Sequence, residues 1–451
     1  MARKSIDLKN DPIKQSFFRY LMPAITGMVI KSIFIMVDTI FIGRGVGADG
    51  LAAISMAVPF FSFFTAIAMM IGIGGSALMS IEFGKGNYQA GQGLFVQSVL
   101  LAILVAGGLA LGGQFWLDDI LALVGATGQI AIYSGQYLGI MLNFFVLYSL
   151  GWVLSCFVRN DTNPALTMYA LAGGALMNIV LDYLFIMQFG WGVQGAAYAT
   201  IIANLISMII LLIHFLTRRG RLRFNLSGMG LGRIRRILTI GLPIFFIESS
   251  VAATSMVFNT VLLAKGGLYI SVYSIVLNTA VLTLFILVGI GQACQPIISF
   301  NYGAGAVNKV KETLFIGLRF AVATGFAAVA IVWLEAESIA SLFVVDNPQL
   351  VAMAAVALRY YFLAYPFMGF NLMVANLFQA TERSASATVL SLARGFVLVV
   401  VGLLVIPVFL SEHGVWLSLL FAEAVTVVFS LLMLRRYLQP STTNVVTPAM
   451  A

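Results

Sequence analysis

A helix crosses the roughly 30 Å hydrocarbon core of a bilayer with about 20 apolar residues, and this sequence offers twelve such stretches in series. Their approximate limits are 17–43, 51–80, 94–116, 130–157, 165–188, 194–216, 238–263, 269–298, 314–334, 351–378, 385–410 and 415–434. A chain that is 61% hydrophobic and only 9% charged lies far outside the composition of a soluble domain. In lipid each backbone N–H and C=O must be satisfied within the segment, so these runs have to be helices. The expected fold is all-α and integral to the membrane.

The first six segments resemble the last six displaced by roughly 220 residues. Leu21-Met22-Pro23 returns as Gly241-Leu242-Pro243, and Gly72-Ile73-Gly74-Gly75 as Gly289-Ile290-Gly291-Gln292. Phe83-Gly84-Lys85-Gly86 returns as Tyr302-Gly303-Ala304-Gly305, and Phe157 with Asp161 as Phe378 with Glu382. Six crossings bring the chain back to its starting side, so both copies enter the membrane in the same direction. They should be parallel repeats about a pseudo-two-fold axis along the membrane normal. The corresponding division is a tail (1–16), a first six-helix lobe (17–217), a basic linker (218–236), a second lobe (237–436) and a tail (437–451). Two similar lobes about a shared cavity are a frame for alternating access, so transport is expected rather than catalysis. No nucleotide-binding G-x-x-x-x-G-K-[ST] loop, His-rich metal cluster, nucleophile motif or selectivity-loop repeat is present. ATP use, an intramembrane enzyme, a channel and a bound cofactor are therefore all disfavoured.

Lys and Arg sort to alternate sides. One side receives Arg3, Lys4, Lys9, Lys14, Arg19, Lys85, Arg159, Lys309, Lys311, Arg319, Arg383, Arg435 and Arg436. It also receives the linker cluster Arg218, Arg219, Arg221, Arg223, Arg233, Arg235 and Arg236. The other side receives Arg44 and Lys265 against Asp49, Asp118, Asp119, Glu335, Glu337, Asp346 and Glu412. Positive-inside bias places both termini in the cytoplasm. It also accounts for the net charge of +8 without nucleic acid, leaving anionic lipid as the linker's neighbour. Cys156 and Cys294 fall inside spans as packing residues, and His214 and His413 stand near span ends and form no cluster. Pro23, Pro59, Pro243, Pro296, Pro366 and Pro407 each favour a bend, with Pro23 the candidate hinge.

A charge at mid-membrane costs about 2.5–3.5 kcal/mol on insertion scales. Four acids (Asp38, Asp182, Glu248 and Glu423) and three bases (Lys31, Arg359 and Arg394) fall within spans. Asp38 and Asp182 lie at matching depth in the outer half of the first lobe, and Asn178, four residues before Asp182, shares its helix face. This grouping is the first candidate for a proton or cation site. Lys31 lies about 10 Å along the helix from Asp38, too far for a direct salt bridge, though placed to act as a counter-charge. Arg394 and Glu423, on successive spans, are candidates for an ion pair. Glu248 is a secondary candidate for the cavity, and Arg359 reaches the outer interface. Phenylalanine and methionine, 35 and 20 of them, supply packing and an adaptable apolar surface.

In this order of features the chain resembles the multidrug and toxic compound extrusion (MATE) family over residues 15–436. The resemblance rests on Pro23 with Val37-Asp38-Thr39 and Phe41-Ile42-Gly43, and on Gly84-x-Gly86. It continues through Asn178-x-x-x-Asp182, Gly195-Ala196-Ala197-x-Ala199-Thr200 and Gly414-Val415-Trp416. The match is to prokaryotic branches whose acids lie in the amino-terminal half. It implies two six-helix lobes in a bacterial inner membrane, a monomer, and export of cationic amphipathic compounds in exchange for H⁺ or Na⁺. It carries Asp38, Tyr137, Asn178, Asp182 and Thr200 into the amino-lobe site, with Na⁺ expected at Asp38, Asn178, Asp182 and Thr200. Lys31 departs from the matched motif, and Glu248 lies about a turn earlier than the acid used by other branches. A second reading, a flippase for lipids or lipid-linked sugars on the same fold, rests on Lys31 and Arg394.

Overall fold

The computed structural model describes residues 6–123, 125–217, 220–226, 229–344 and 347–439. Arg3, Lys4, Arg218, Arg219, Asp346 and the carboxyl-terminal tail from 440 lie outside the described residues, as does the side chain of Glu412. The first lobe contains α1 (Ile13–Gly45), α2 (Ala48–Gly84), α3 (Tyr88–Phe115), α4 (Leu117–Leu123), α5 (Gly128–Asn143), α6 (Phe145–Asn160), α7 (Pro164–Asp182) and α8 (Gly192–Leu216). The second contains α9 (Leu231–Leu263), α10 (Gly267–Gly303), α11 (Val307–Ser341), α12 (Pro348–Phe362), α13 (Tyr365–Ala380), α14 (Ser384–Leu392) and α15 (Leu398–Leu438). Among the described residues ten helices are long and apolar enough to cross a membrane, and twelve when each of two bent pairs counts as one span. The all-helical, two-lobed expectation holds.

The duplication is visible in the backbone. Span four breaks by 57° between α5 and α6, and its counterpart by 40° between α12 and α13. Helix α7 passes into a π-helical turn at Tyr183–Gln188, and α14 into another at Ala393–Val397. Thr162 and Glu382 adopt the same left-handed φ, 62° and 59°, in the turns that precede α7 and α14. That geometry aligns Glu382 with Thr162, one residue on from the Asp161 expected from sequence.

Proline marks some of the bends and not others: Pro366 stands in the first turn of α13, at the 40° break. Helix α1 runs through Pro23 without a non-helical residue, and α2, α9 and α10 likewise contain Pro59, Pro243 and Pro296. The sharper break, at Phe144, has no proline. Within α15 the chain breaks at Leu410 and Ser411, separating the last two spans three residues after Pro407. Two expected boundaries also move. Residues 231–236 of the linker are already the first turns of α9. The leader is not a free tail: Leu8 and Ile13 are buried, and Lys309 Nζ donates to the Lys9 carbonyl at 2.6 Å. Asp7 caps the leader's turn, and its hydrogen bond from the Asn10 amide holds its carboxyl below the usual carboxylate range.

The apolar clusters show how the lobes are joined. Phe17, Tyr20 and Leu21 of α1 belong to the second lobe's core, with Phe17 5.3 Å from Phe320 between ring centres, whereas Ile42 belongs to the first lobe's. Helix α9 mirrors this, with Ile237 and Ile240 in the first lobe's core and Phe258 and Leu262 in the second's. Each helix therefore changes lobe part-way along, near Pro23 in α1 and Pro243 in α9. At the leader end the lobes meet backbone to backbone. A Cβ on Gly84 would run into the Phe300 carbonyl, and one on Gly303 into that of Ile81. Only glycine permits this approach.

Candidate ion-coupling and substrate site

Asn178 and Asp182 close the regular part of α7 one turn apart, and both are fully buried. The π-helical turn starts at the next residue, where the local helical register changes, a feature concentrated at functional sites. Small residues of α8 let it come close to this segment. A Cβ on Gly195 would stand 3.0 Å from Phe185 Cβ and 3.1 Å from its carbonyl carbon. The approach brings the Thr200 backbone N–H to Asn178. With the amide oriented to satisfy both of its atoms, Asn178 donates to Asp182 Oδ2 at 2.7 Å and accepts from Thr200 N at 3.3 Å.

Helix α1 packs along α7 and presents Asp38 to Asp182, close enough for a side-chain hydrogen bond between the two carboxyl groups. Buried Tyr137 lies within electrostatic reach of both. Asp38 Oδ1 and Asp182 Oδ1 are each buried without a partner. Two carboxylates in contact cannot both stay ionised without a cation between them, and a single proton can join them. The structure thus brings together Asp38, Tyr137, Asn178, Asp182 and Thr200, but Thr200 takes part through its N–H.

Beside this group lies a cavity of about 180 Å³. Asn178 and Thr200 line it together with Pro23, Lys31, Trp152 and Arg159. Lys31 does not pair with Asp38. Its ammonium stands 4.9 Å from the Trp152 ring centre and 5.2 Å from that of Phe285, across the seam between the lobes. Glu248 faces it from α9.

The second lobe's charges form a closed network. Arg394, within the second π-helical turn, donates to Glu423 from Nη2 at 2.7 Å and from Nε at 3.1 Å. Asn371 Nδ2 donates to Glu423 Oε2 at 2.7 Å, and Ser430 Oγ donates to Asn371 Oδ1 at 2.8 Å. Both carboxylate oxygens are engaged, unlike those of the first lobe. Arg394 is therefore neutralised in the lobe opposite Lys31, and the two do not make the anion cradle that a flippase reading requires. Arg359 meets Glu337 at 3.6 Å and remains part-exposed.

Sequence reading missed a polar clamp at the leader end. Asp161 Oδ2 pairs with His214 Nε2 at 2.8 Å and accepts from Leu222 N at 2.9 Å, and Oδ1 accepts from Arg221 N at 2.9 Å. Gln97 Nε2 donates to the Gly230 carbonyl at 2.8 Å, and the Arg221 guanidinium lies 4.5 Å from the Tyr88 ring centre. The linker is thereby fastened to the first lobe. A histidine and an aspartate 53 residues apart, each at a span end on the same side, were the available signal. Each lost bond to a buried polar group costs about 1–3 kcal/mol. Asp161→Ala is therefore expected to speed tryptic cleavage after Arg221 and Arg223 at least about tenfold in detergent-solubilised protein. Unchanged cleavage would mean that the clamp does not hold the linker.

The MatE family matches residues 23–184 and 243–405, once in each lobe. Multidrug export protein MepA of Staphylococcus haemolyticus is 26% identical over 416 residues, 92% of this chain and 91% of that protein. MepA of Staphylococcus aureus is 25% identical over 436 residues, 94% of each. An outward-facing multidrug resistance MATE family transporter of the MOP superfamily shares the fold with a TM-score of 0.91 and 23% identity, over 96% of this chain and 98% of that one. With one family match in each lobe and relatives aligned over almost their whole length, the chain belongs to the MatE family, whose members are multidrug export transporters and not enzymes.

Proposed function

We propose that the protein is a secondary active antiporter of a bacterial cytoplasmic membrane that exports amphipathic organic compounds, cations among them, in exchange for H⁺ or Na⁺. It works as a monomer with both termini in the cytoplasm. The divisions at residues 16, 217, 236 and 436 mark tail, lobe, linker, lobe and tail. The observation that carries the reading is the carboxyl pair Asp38–Asp182, part-buried and fully buried and within hydrogen-bond reach of each other, with one buried, unpartnered oxygen on each. Ionised, the pair attracts a cation. Occupied by the coupling ion, it draws the outer half of α1 toward α7. Because α1 changes lobe near Pro23 and lines the cavity from Pro23 to Phe34, that pull reshapes the cavity and expels the compound. A cycle that moves one net positive charge inward through about 100 mV gains roughly 2.3 kcal/mol, enough to drive about a fifty-fold gradient, whereas exchange of one H⁺ for one monovalent cation draws on the ion's concentration gradient alone. H⁺ is the ion we propose, because a single proton joins two neighbouring carboxyl groups without further oxygen ligands.

The test is reconstitution in liposomes, with efflux of a cationic dye followed under an imposed pH gradient and, separately, an imposed Na⁺ gradient. The pH gradient is expected to drive dye movement. Drive by Na⁺ alone would reassign the ion, and movement indifferent to both would refute antiport.

A further inference from the structure

We propose that the cavity beside the carboxyl pair holds an acidic group, a carboxylate or phosphate on an amphipathic ligand, against Arg159, with Lys31 adding positive charge from farther along the wall. The two bases are the charged side chains of the cavity wall, and no Asp or Glu is among its described residues. Arg159 is 8% exposed and has no carboxylate within ion-pair distance among the described residues. Its Nη1 donates to Gln292 Oε1 at 2.7 Å, its Nη2 lies 4.0 Å from Cys156 Sγ, and its Nε is buried without a partner. Asp161, two residues on, is taken up by His214 and the linker backbone.

A buried guanidinium facing neutral groups carries a desolvation penalty that only an opposing charge offsets well. Lys31 is better provided for, with two aromatic faces and Glu248 behind it, but Glu248 is not part of the wall. Trp152, under the Lys31 ammonium, precedes Arg159 by seven residues on α6, so the two charges stand about 10 Å apart along the helix. The same wall carries apolar side chains, Trp152 and Leu171 among them, against which the body of an amphipathic ligand can rest while its acidic group meets Arg159. The carboxyl pair lies beyond Asn178 and Thr200, so acids and bases flank separate parts of the cavity. The geometry thereby extends the range of cargo from cations to acidic amphiphiles. It rests on the export reading only in treating the bound compound as cargo.

Binding to the purified full chain in detergent, without any gradient, tests the site. The probes are 2-naphthoate and 2-naphthamide, alike in shape and different in charge. About a tenfold preference for the naphthoate is expected, as a charge-assisted contact gives. The preference should fall to near unity in Arg159→Gln and by a smaller factor in Lys31→Met, and Arg159→Lys should restore it, which guards against a variant that merely misfolds. Repeating the measurement in nanodiscs separates two sources of the same chemistry. Competition by phosphatidylglycerol but not phosphatidylcholine identifies a lipid headgroup, and its absence a soluble acid. Equal affinity for both probes in the wild type, or a preference undiminished in both charge-removing variants, overturns the proposal. A preserved preference in protein that shows no gradient-driven dye movement would refute antiport and leave the site standing.

Discussion

Asp38→Asn and Asp182→Asn should each reduce efflux of a cationic dye to the level of cells lacking the protein, at matched membrane abundance. Asparagine keeps the shape of the side chain and removes the charge and the exchangeable proton. The expectation follows from the contact between the two carboxyl groups and from their unpartnered Oδ1 atoms. A site that must alternately hold and release an ion needs both members, because either carboxyl alone lacks the neighbour that makes its proton or cation exchangeable. A purely structural pair would give a different pattern. Removing one of two like charges in contact relieves repulsion, so thermal stability in detergent should stay the same or rise in both variants while efflux disappears. Loss of efflux with a comparable loss of stability would instead assign the pair to packing. Wild-type efflux in both variants would remove it from the mechanism.

How much of this was legible in the sequence depended on whether a signal was local. The spans follow from apolar length, and the pairing of Asn178 with Asp182 follows from a four-residue spacing on one helix. The matching depth of Asp38 and Asp182 followed from counting residues inward from the span ends. What escaped depends on contacts between distant parts of the chain. Phe144 breaks a span without proline or glycine, so nothing local announces it. The exchange of half-helices at Pro23 and Pro243 is invisible to hydropathy, because the same apolar residues suit either lobe's core. Arg159 counted as one more basic residue at a span end, yet it is buried, and Gln292 of the other lobe accepts its hydrogen bond. Thr200 stands beside Asn178 through its backbone N–H, a contact between helices that residue identity does not announce.

The asymmetry between the lobes predicts an opposite result for the buried charges of the second. Glu423 and Arg394 are 1% and 7% exposed; both Glu423 oxygens accept hydrogen bonds, and Arg394 donates from Nε and Nη2. Removing one partner strands a charge in a place without water, which costs about 3–5 kcal/mol. Glu423→Gln and Arg394→Met should each lower the stability of the detergent-solubilised protein by about that amount. A large drop in the thermal midpoint and poor membrane abundance are the expected readouts. The double replacement Arg394→Leu with Glu423→Met removes both charges, and apolar substitutes of similar volume commonly recover most of such a loss. Asn371 then still donates to the Glu423-position backbone carbonyl, at 2.9 Å in the present structure, and still accepts from Ser430, so the rest of the network survives. Efflux by the double variant, corrected for abundance, should therefore stay within about twofold of wild type, whereas no pairing of Asp38 and Asp182 replacements should restore it. If the double variant regains stability but not efflux, Glu423 takes part in transport and both lobes carry ions. If it regains both, the second lobe uses its charges to hold its shape, and the open oxygens of Asp38 and Asp182 mark where coupling occurs.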